Sequence, residues 1–205
     1  MKINAAATRT ILVSAALAIS IAILPASAPA QNGAAGAQAP PSGAKVVTPV
    51  AYVSLEQVPR TQTVDVALML NIAPGYHINS HTPSQTYLIP TNVTLADTSG
   101  FQPAGSNYPT GQMQTFAFTQ DKLSVYSGSA TIWLRFQAQS DAPLGEITLP
   151  LVVKFQACNA TACLPPAKVA VPVHVSIAPA DTKSKLTHPE IFKTEPKLAP
   201  EGNAK

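Results

Sequence analysis

Two cysteines, Cys158 and Cys163, are the only ones among the 205 residues, and four residues separate them in FQACNATACLPP (155 to 166). A pair so close along a chain has three chemical uses: a staple, a metal clip or a redox-active dithiol. Two thiolates need two further ligands to close a zinc site. His77, His81, His174 and His188 show no paired-ligand spacing with the cysteines, so no metal and no other cofactor is expected. As a staple the bond would close a loop of six residues. That is worth about 2 kcal/mol in the chain-entropy picture, and a hairpin already closes the same loop. A redox pair fits best, because an attacking thiolate can reach a bond at an exposed hairpin neck. The staple stays open as the alternative.

The hairpin is written in the flanking residues. Leu149, Leu151, Val153 and Phe155 alternate with polar or small neighbours and run straight into Cys158. After Cys163 the chain passes Pro165-Pro166 and enters a strand on which Val169, Val171, Val173, Val175 and Ile177 alternate. Opposed residues on antiparallel strands lie about 4.5–5.5 Å apart at Cα, within reach of a disulfide. The same period of two runs through Val64 to Ile72, ended by a Pro74-Gly75 turn, and through Ala130 to Phe136. Alternation puts one side of each strand on a core and the other toward water. Pro172 cannot donate to a ladder, so the last strand is expected at an edge, or with that side turned to solvent. No stretch reads as a helix of four turns. The fold expected is all-β, an immunoglobulin-like antiparallel β-sandwich over residues 49 to 178.

The ends read differently. Lys2 and Arg9, the apolar run Ile11 to Leu24 and the small residues up to Ala30 are the three parts of a signal peptide, with cleavage expected after Ala30. The apolar run is short of the roughly 20 residues needed to span a bilayer. Export to a compartment where disulfides persist follows, and no membrane insertion of the mature chain is expected. Residues 31 to 48, rich in Ala, Gly, Pro and Gln, read as a flexible linker, and residues 179 to 205 as a disordered tail. Without Lys2 and Arg9 the chain has 11 basic and 10 acidic residues. That balance gives no electrostatic reason to expect nucleic acid as a partner, and a monomer is expected.

FQACNATACLPP, together with PGYHINSHTPSQTYLIPTNVTL (74 to 95), YPTG (108 to 111) and VYSGSATIWLRF (125 to 136), resembles the N-terminal periplasmic domain of DsbD, the thiol:disulfide interchange protein. The resemblance implies an immunoglobulin-like domain in the periplasm whose reduced cysteine pair passes electrons to oxidised thioredoxin-fold proteins. It implies that Cys163 forms the mixed disulfide with the partner and that Cys158 resolves it. It also implies a cap loop over the pair, here near residues 112 to 126, with Phe116, Phe118 and Tyr126 as its shielding aromatics. Where better-known members carry an acidic pair beside an aromatic pair on the cap, this chain has Asp121 followed by Lys122. The membrane electron-transporting segment and the C-terminal thioredoxin-like domain of DsbD have no counterpart in the sequence. A separate membrane electron donor is therefore expected. A non-catalytic binding module with a structural disulfide is the rival reading.

Smaller features carry less. Asn92-Val93-Thr94 and Asn159-Ala160-Thr161 match the glycosylation pattern and read as chance. Tyr76, His77 and Tyr87 flank the PSQT turn and read as a surface loop with half-buried aromatics. His174, on the polar side of the last strand, reads as an exposed side chain rather than a base toward a thiol.

Overall fold

In the computed structural model, residues 42–193 and Leu198 are described. The expected signal peptide and its cleavage point lie outside the described residues, as do residues 31 to 41 of the expected linker. Along the chain run β1 (Val47–Val53), β2 (Val58–Pro59), β3 (Thr63–Ile72), β4 (His77–Asn79), β5 (Asn92–Leu95) and β6 (Phe101–Asn107). They are followed by β7 (Gln112–Gln114), β8 (Leu123–Ser127), β9 (Ser129–Ala138), β10 (Gly145–Phe155), β11 (Ala157–Cys158) and β12 (Ala167–Ala178). A single helical turn, Pro189–Phe192, comes last.

These strands make three four-stranded sheets, ordered β1-β3-β9-β6, β2-β12-β10-β5 and β11-β4-β8-β7. Pairing is antiparallel except where the short β2 meets the end of β12. The first two sheets form the immunoglobulin-like sandwich expected from the sequence. Val64, Val66, Leu68 and Leu70 of β3 are buried in one core with Leu149, Leu151, Val153 and Phe155 of β10. Each such side chain contributes about 1.5–3 kcal/mol by leaving water. Their alternating neighbours face out; Asp65 on β3 meets Arg135 on β9 across the ladder, with Arg135 Nε donating to Asp65 Oδ1 at 2.6 Å.

Pro172 behaves as its chemistry requires. Pro150 of β10 stands opposite it, and the Pro150 carbonyl accepts from Ala96 N at 2.8 Å, so the polar backbone of Pro150 faces β5. The opposed Pro172 therefore turns its own backbone nitrogen outward, where β12 has no ladder partner among the described residues.

Order extends past the expected domain at both ends. A 3-10 turn at Gly43–Lys45 precedes β1, and Val46 and Val47 are buried, because pairing of β1 with β3 starts at Val47 opposite Ile72. The expected linker thus gives way to structure several residues before 49. At the other end, the segment expected as tail runs beside residues 54 to 57. Glu56 N donates to Lys185 O at 3.0 Å and Thr187 N donates to Ser54 O at 2.8 Å. The helical turn then lays Phe192 edge-on against Trp133, ring centres 5.6 Å apart, and buries it. The expected tail begins at residue 179 only in composition; its Phe192 finds a place against Trp133 of the first sheet.

Candidate redox site

The third sheet sits where the hairpin of β10 and β12 leaves the sandwich. Beyond Phe155, opposite Ala167, the chain steps through Gln156 into β11, which pairs with β4. Cys158 and Cys163 oppose each other at the neck and are joined by a disulfide, with their Cα atoms 3.9 Å apart. This is closer than the sequence led us to expect. The pair is of the non-hydrogen-bonded kind, in which strands approach more tightly. Its flanking bonds are Asn159 N to Ala162 O at 2.9 Å and Leu164 N to Ala157 O at 2.8 Å. Asn159 also makes the turn: its Oδ1 accepts from the backbone of Thr161 and Ala162, both at 2.9 Å. The Asn-x-Thr match is thereby explained as turn chemistry.

The two sulfurs live in different surroundings. Cys158 is 0 % exposed, whereas Cys163 lies with Thr161 and Ala162 on the exposed tip. On its other side Cys158 faces His77 of β4, and His77 in turn faces Ser127 of β8. Directly opposed residues share a face of a sheet. Cys163, Cys158, His77 and Ser127 therefore form one row across it. Ala157, Ile78 and Tyr126 form the next row, on the opposite face, and join the sandwich core.

The region expected as a cap is a hairpin of β7 and β8 whose tip carries Phe116 and Phe118. Phe116 stacks on His77 with ring centres 3.9 Å apart, and Phe118 stacks on Phe116 at 5.5 Å. The tip is tied to the loop after β4 by Ser84 Oγ donating to Lys122 O at 3.0 Å and Gln85 Nε2 donating to Asp121 Oδ2 at 3.2 Å. At its base Ser80 and Ser124 share a 2.8 Å hydrogen bond. Tyr126, expected with the shielding aromatics, belongs to the core instead. Its register opposite Ile78 puts it one residue off the His77 face, and its hydroxyl donates to Pro109 O at 2.8 Å. Burial raises its phenol above the ordinary value, and the hydrogen bond from the His81 backbone pulls it partly back.

His77, read from the sequence as part of a surface loop, is instead a buried strand residue. It is 3 % exposed, its Nε2 is buried without a hydrogen-bond partner, and burial lowers its pKa to about 4. No period marked it: β4 is three residues long, with Ile78 toward the core between His77 and Asn79. His174 is exposed, its Nδ1 3.3 Å from Thr148 Oγ1. It stands seven residues up β12 from Ala167, about 20 Å at the rise of a strand, and does not approach the cysteines. Among the described residues no group of three His, Cys, Asp or Glu side chains gathers to hold a metal. Nor is any helix among them long and apolar enough to cross a membrane.

A β-sandwich bearing a disulfide at the neck of a hairpin, beside a second hairpin tipped with aromatics, is the class of protein that fold and site define. The family model for the N-terminal region of the thiol:disulfide interchange protein DsbD matches residues 44–174, and the chain belongs to that family. Among solved structures it is similar to the DsbD N-terminal domain of Neisseria meningitidis in its reduced form: 15 % identity, 69 % of this chain and 90 % of that one covered, TM-score 0.39. It is also similar to the N-terminal periplasmic domain of ScsB from Proteus mirabilis: 9 % identity, 71 % and 51 % covered, TM-score 0.39. No curated protein matches.

Proposed function

We propose that the chain is an exported thiol:disulfide exchange module, a protein-disulfide reductase that works through Cys158 and Cys163. The observation that carries this reading is the unequal exposure of the two sulfurs. Exchange needs one sulfur that a second protein can reach and another held back until the first is engaged. In the reduced protein the Cys163 thiolate attacks a partner disulfide, and one partner sulfur leaves as a thiolate. The Cys158 sulfur then attacks Cys163 Sγ, remakes the internal bond and releases the second partner sulfur. A dithiol on a separate membrane electron donor restores the pair.

The partners are thioredoxin-fold proteins of the periplasm, and the module acts as a monomer of residues 49 to 178 with the ordered flanks described above. Phe116, backed by Phe118, shields the row that holds Cys158. A staple has less support, because two backbone hydrogen bonds close the hairpin without the sulfurs.

Cys158→Ala is expected to trap a mixed disulfide with a thioredoxin-fold protein in periplasmic extracts, and Cys163→Ala is not. Capture through Cys158 alone would reverse the roles. A bond with a reduction potential below about −300 mV would return the pair to the category of structural disulfide.

A further inference from the structure

Cys158 has Cys163 on one side and His77 on the other. Opposed residues of an antiparallel pair keep their Cβ atoms about 4.5–5.5 Å apart. The His77 ring is closed over by Phe116 at 3.9 Å, and its Nε2 is buried with no partner. A buried polar atom left unpaired costs free energy, and the neighbouring disulfide sulfurs carry no hydrogen to relieve it. Reduction of the bond creates such a hydrogen on the residue directly across the ladder.

We propose that His77 holds the Cys158 thiol in the reduced protein, Nε2 accepting its S–H hydrogen bond, and so makes the Cys158–Cys163 bond easier to reduce. This deepens the exchange function above and rests on it for its biological use. In the step itself, a donor dithiol loses two electrons and two protons and becomes a disulfide. The Cys158–Cys163 bond breaks, and each cysteine sulfur gains one proton. The proton on Cys158 lies against Nε2, while the imidazole keeps its own proton on Nδ1. The groups facing the ring are Cys158 from β11, Ser127 from β8 and Phe116 from the β7–β8 tip; none is charged. Burial there holds the imidazole neutral at pH 7, the state an acceptor requires. His77 acts as a positioning residue, since it works through the resolving sulfur of the residue opposite it and exchanges no electrons itself.

The test compares wild type, His77→Phe and His77→Gln, each equilibrated against a dithiothreitol series with thiols counted by alkylation and mass. Phe keeps a ring to stack under Phe116 and removes the nitrogen; Gln returns an acceptor oxygen. His77→Phe is expected to be about tenfold harder to reduce, roughly 30 mV at the two-electron constant, and His77→Gln to recover most of that. Equal equilibrium constants for wild type and His77→Phe overturn the proposal. Nitrogen-15 NMR of the wild-type imidazole provides a readout independent of any variant. An unprotonated Nε2 whose resonance moves on reduction supports the assignment, and a ring protonated at Nε2 in both states overturns it. A wild-type bond that resists the whole glutathione range sinks the exchange function, yet leaves the comparison with His77→Phe intact.

Discussion

Inside the two facing sheets the buried strand positions are Val, Leu, Ile, Phe and Ala, with Pro59 and Gly105 besides; in the small sheet and the loops tied to it the chain buries His77, Asn79, Ser80, Thr91 and Ser124. Among the described buried polar residues only Ser54 lies elsewhere. Apolar burial has no direction, so the sandwich is held by how much surface it hides. The small sheet is held by named partners: Thr91 Oγ1 donates to Asn79 O at 2.6 Å, and Ser80 meets Ser124 at 2.8 Å. Even so, two atoms there, His77 Nε2 and Asn79 Oδ1, have no partner, and both belong to β4. A scaffold can tolerate loose specification; a site that handles sulfur has to fix where polar atoms point. The regions differ in composition and in the kind of interaction that holds each together.

Four experiments press on that difference. Leu68→Ala, at a 0 % exposed position of β3, is expected to cost about 2–5 kcal/mol in urea unfolding. It should leave the glutathione equilibrium of the cysteine pair unchanged. A shift in that equilibrium would show the regions to be energetically joined.

Acid should act mainly on the small sheet. In the folded protein His77 stays neutral until about pH 4, whereas in the unfolded chain it takes up a proton near 6.5. Its folded pKa is the lower one, so stability is fully present above pH 6.5 and falls as the pH drops through the window to 4. At about 1.4 kcal/mol per pH unit the loss is roughly 3 kcal/mol. Unfolding curves of wild type and His77→Phe across that window should diverge by this amount; parallel curves would mean the ring is not buried as described.

Gly111→Ala is smaller and more local. An added Cβ would stand 2.2 Å from Ser124 Oγ and 2.7 Å from Ser80 Cβ, forcing their hydrogen bond apart. The expected cost is about 1–3 kcal/mol. Hydrogen exchange should rise in β4, β7 and β8 and hold steady in β3 and β9. Phe192→Ala should matter least, about 1 kcal/mol for an edge-on ring pair. Trp133 is the only tryptophan in the chain, so its emission should move to the red; an unchanged spectrum would mean the last turn does not dock.

The sandwich was legible because β3, β9, β10 and β12 each carry at least four alternating apolar residues, enough for a period to show. The cysteine hairpin was legible for the same reason, since β10 and β12 lead into it from both sides. Short strands gave no such run. β4 is His77–Asn79, too brief for periodicity, and a polar residue buried in it looks from the sequence like a loop. Tyr126 was misplaced because a slip of one residue exchanges the faces of a strand, and nothing local fixes the register of β8 against β4. The two flanks were read as loose because their anchors, Val46 and Val47 at one end and Phe192 at the other, are few and set among Gly, Pro and charge. What holds them is the far side of the fold, which composition alone does not reveal.

β12 presents its outer edge for most of its length, and Pro172 stands in the middle of that edge with its nitrogen outward. On the neighbouring β1, Pro49 lines the same groove as Ala170, Pro172 and His174. A foreign strand arriving there would meet a ladder with its central rung missing. Up to the point where β2 pairs with Ile177, an unbroken edge of β12 would invite one molecule to extend the sheet of the next, and Pro172 interrupts it. Replacing Pro172 with Thr would restore the rung and, with it, a route to polymerisation.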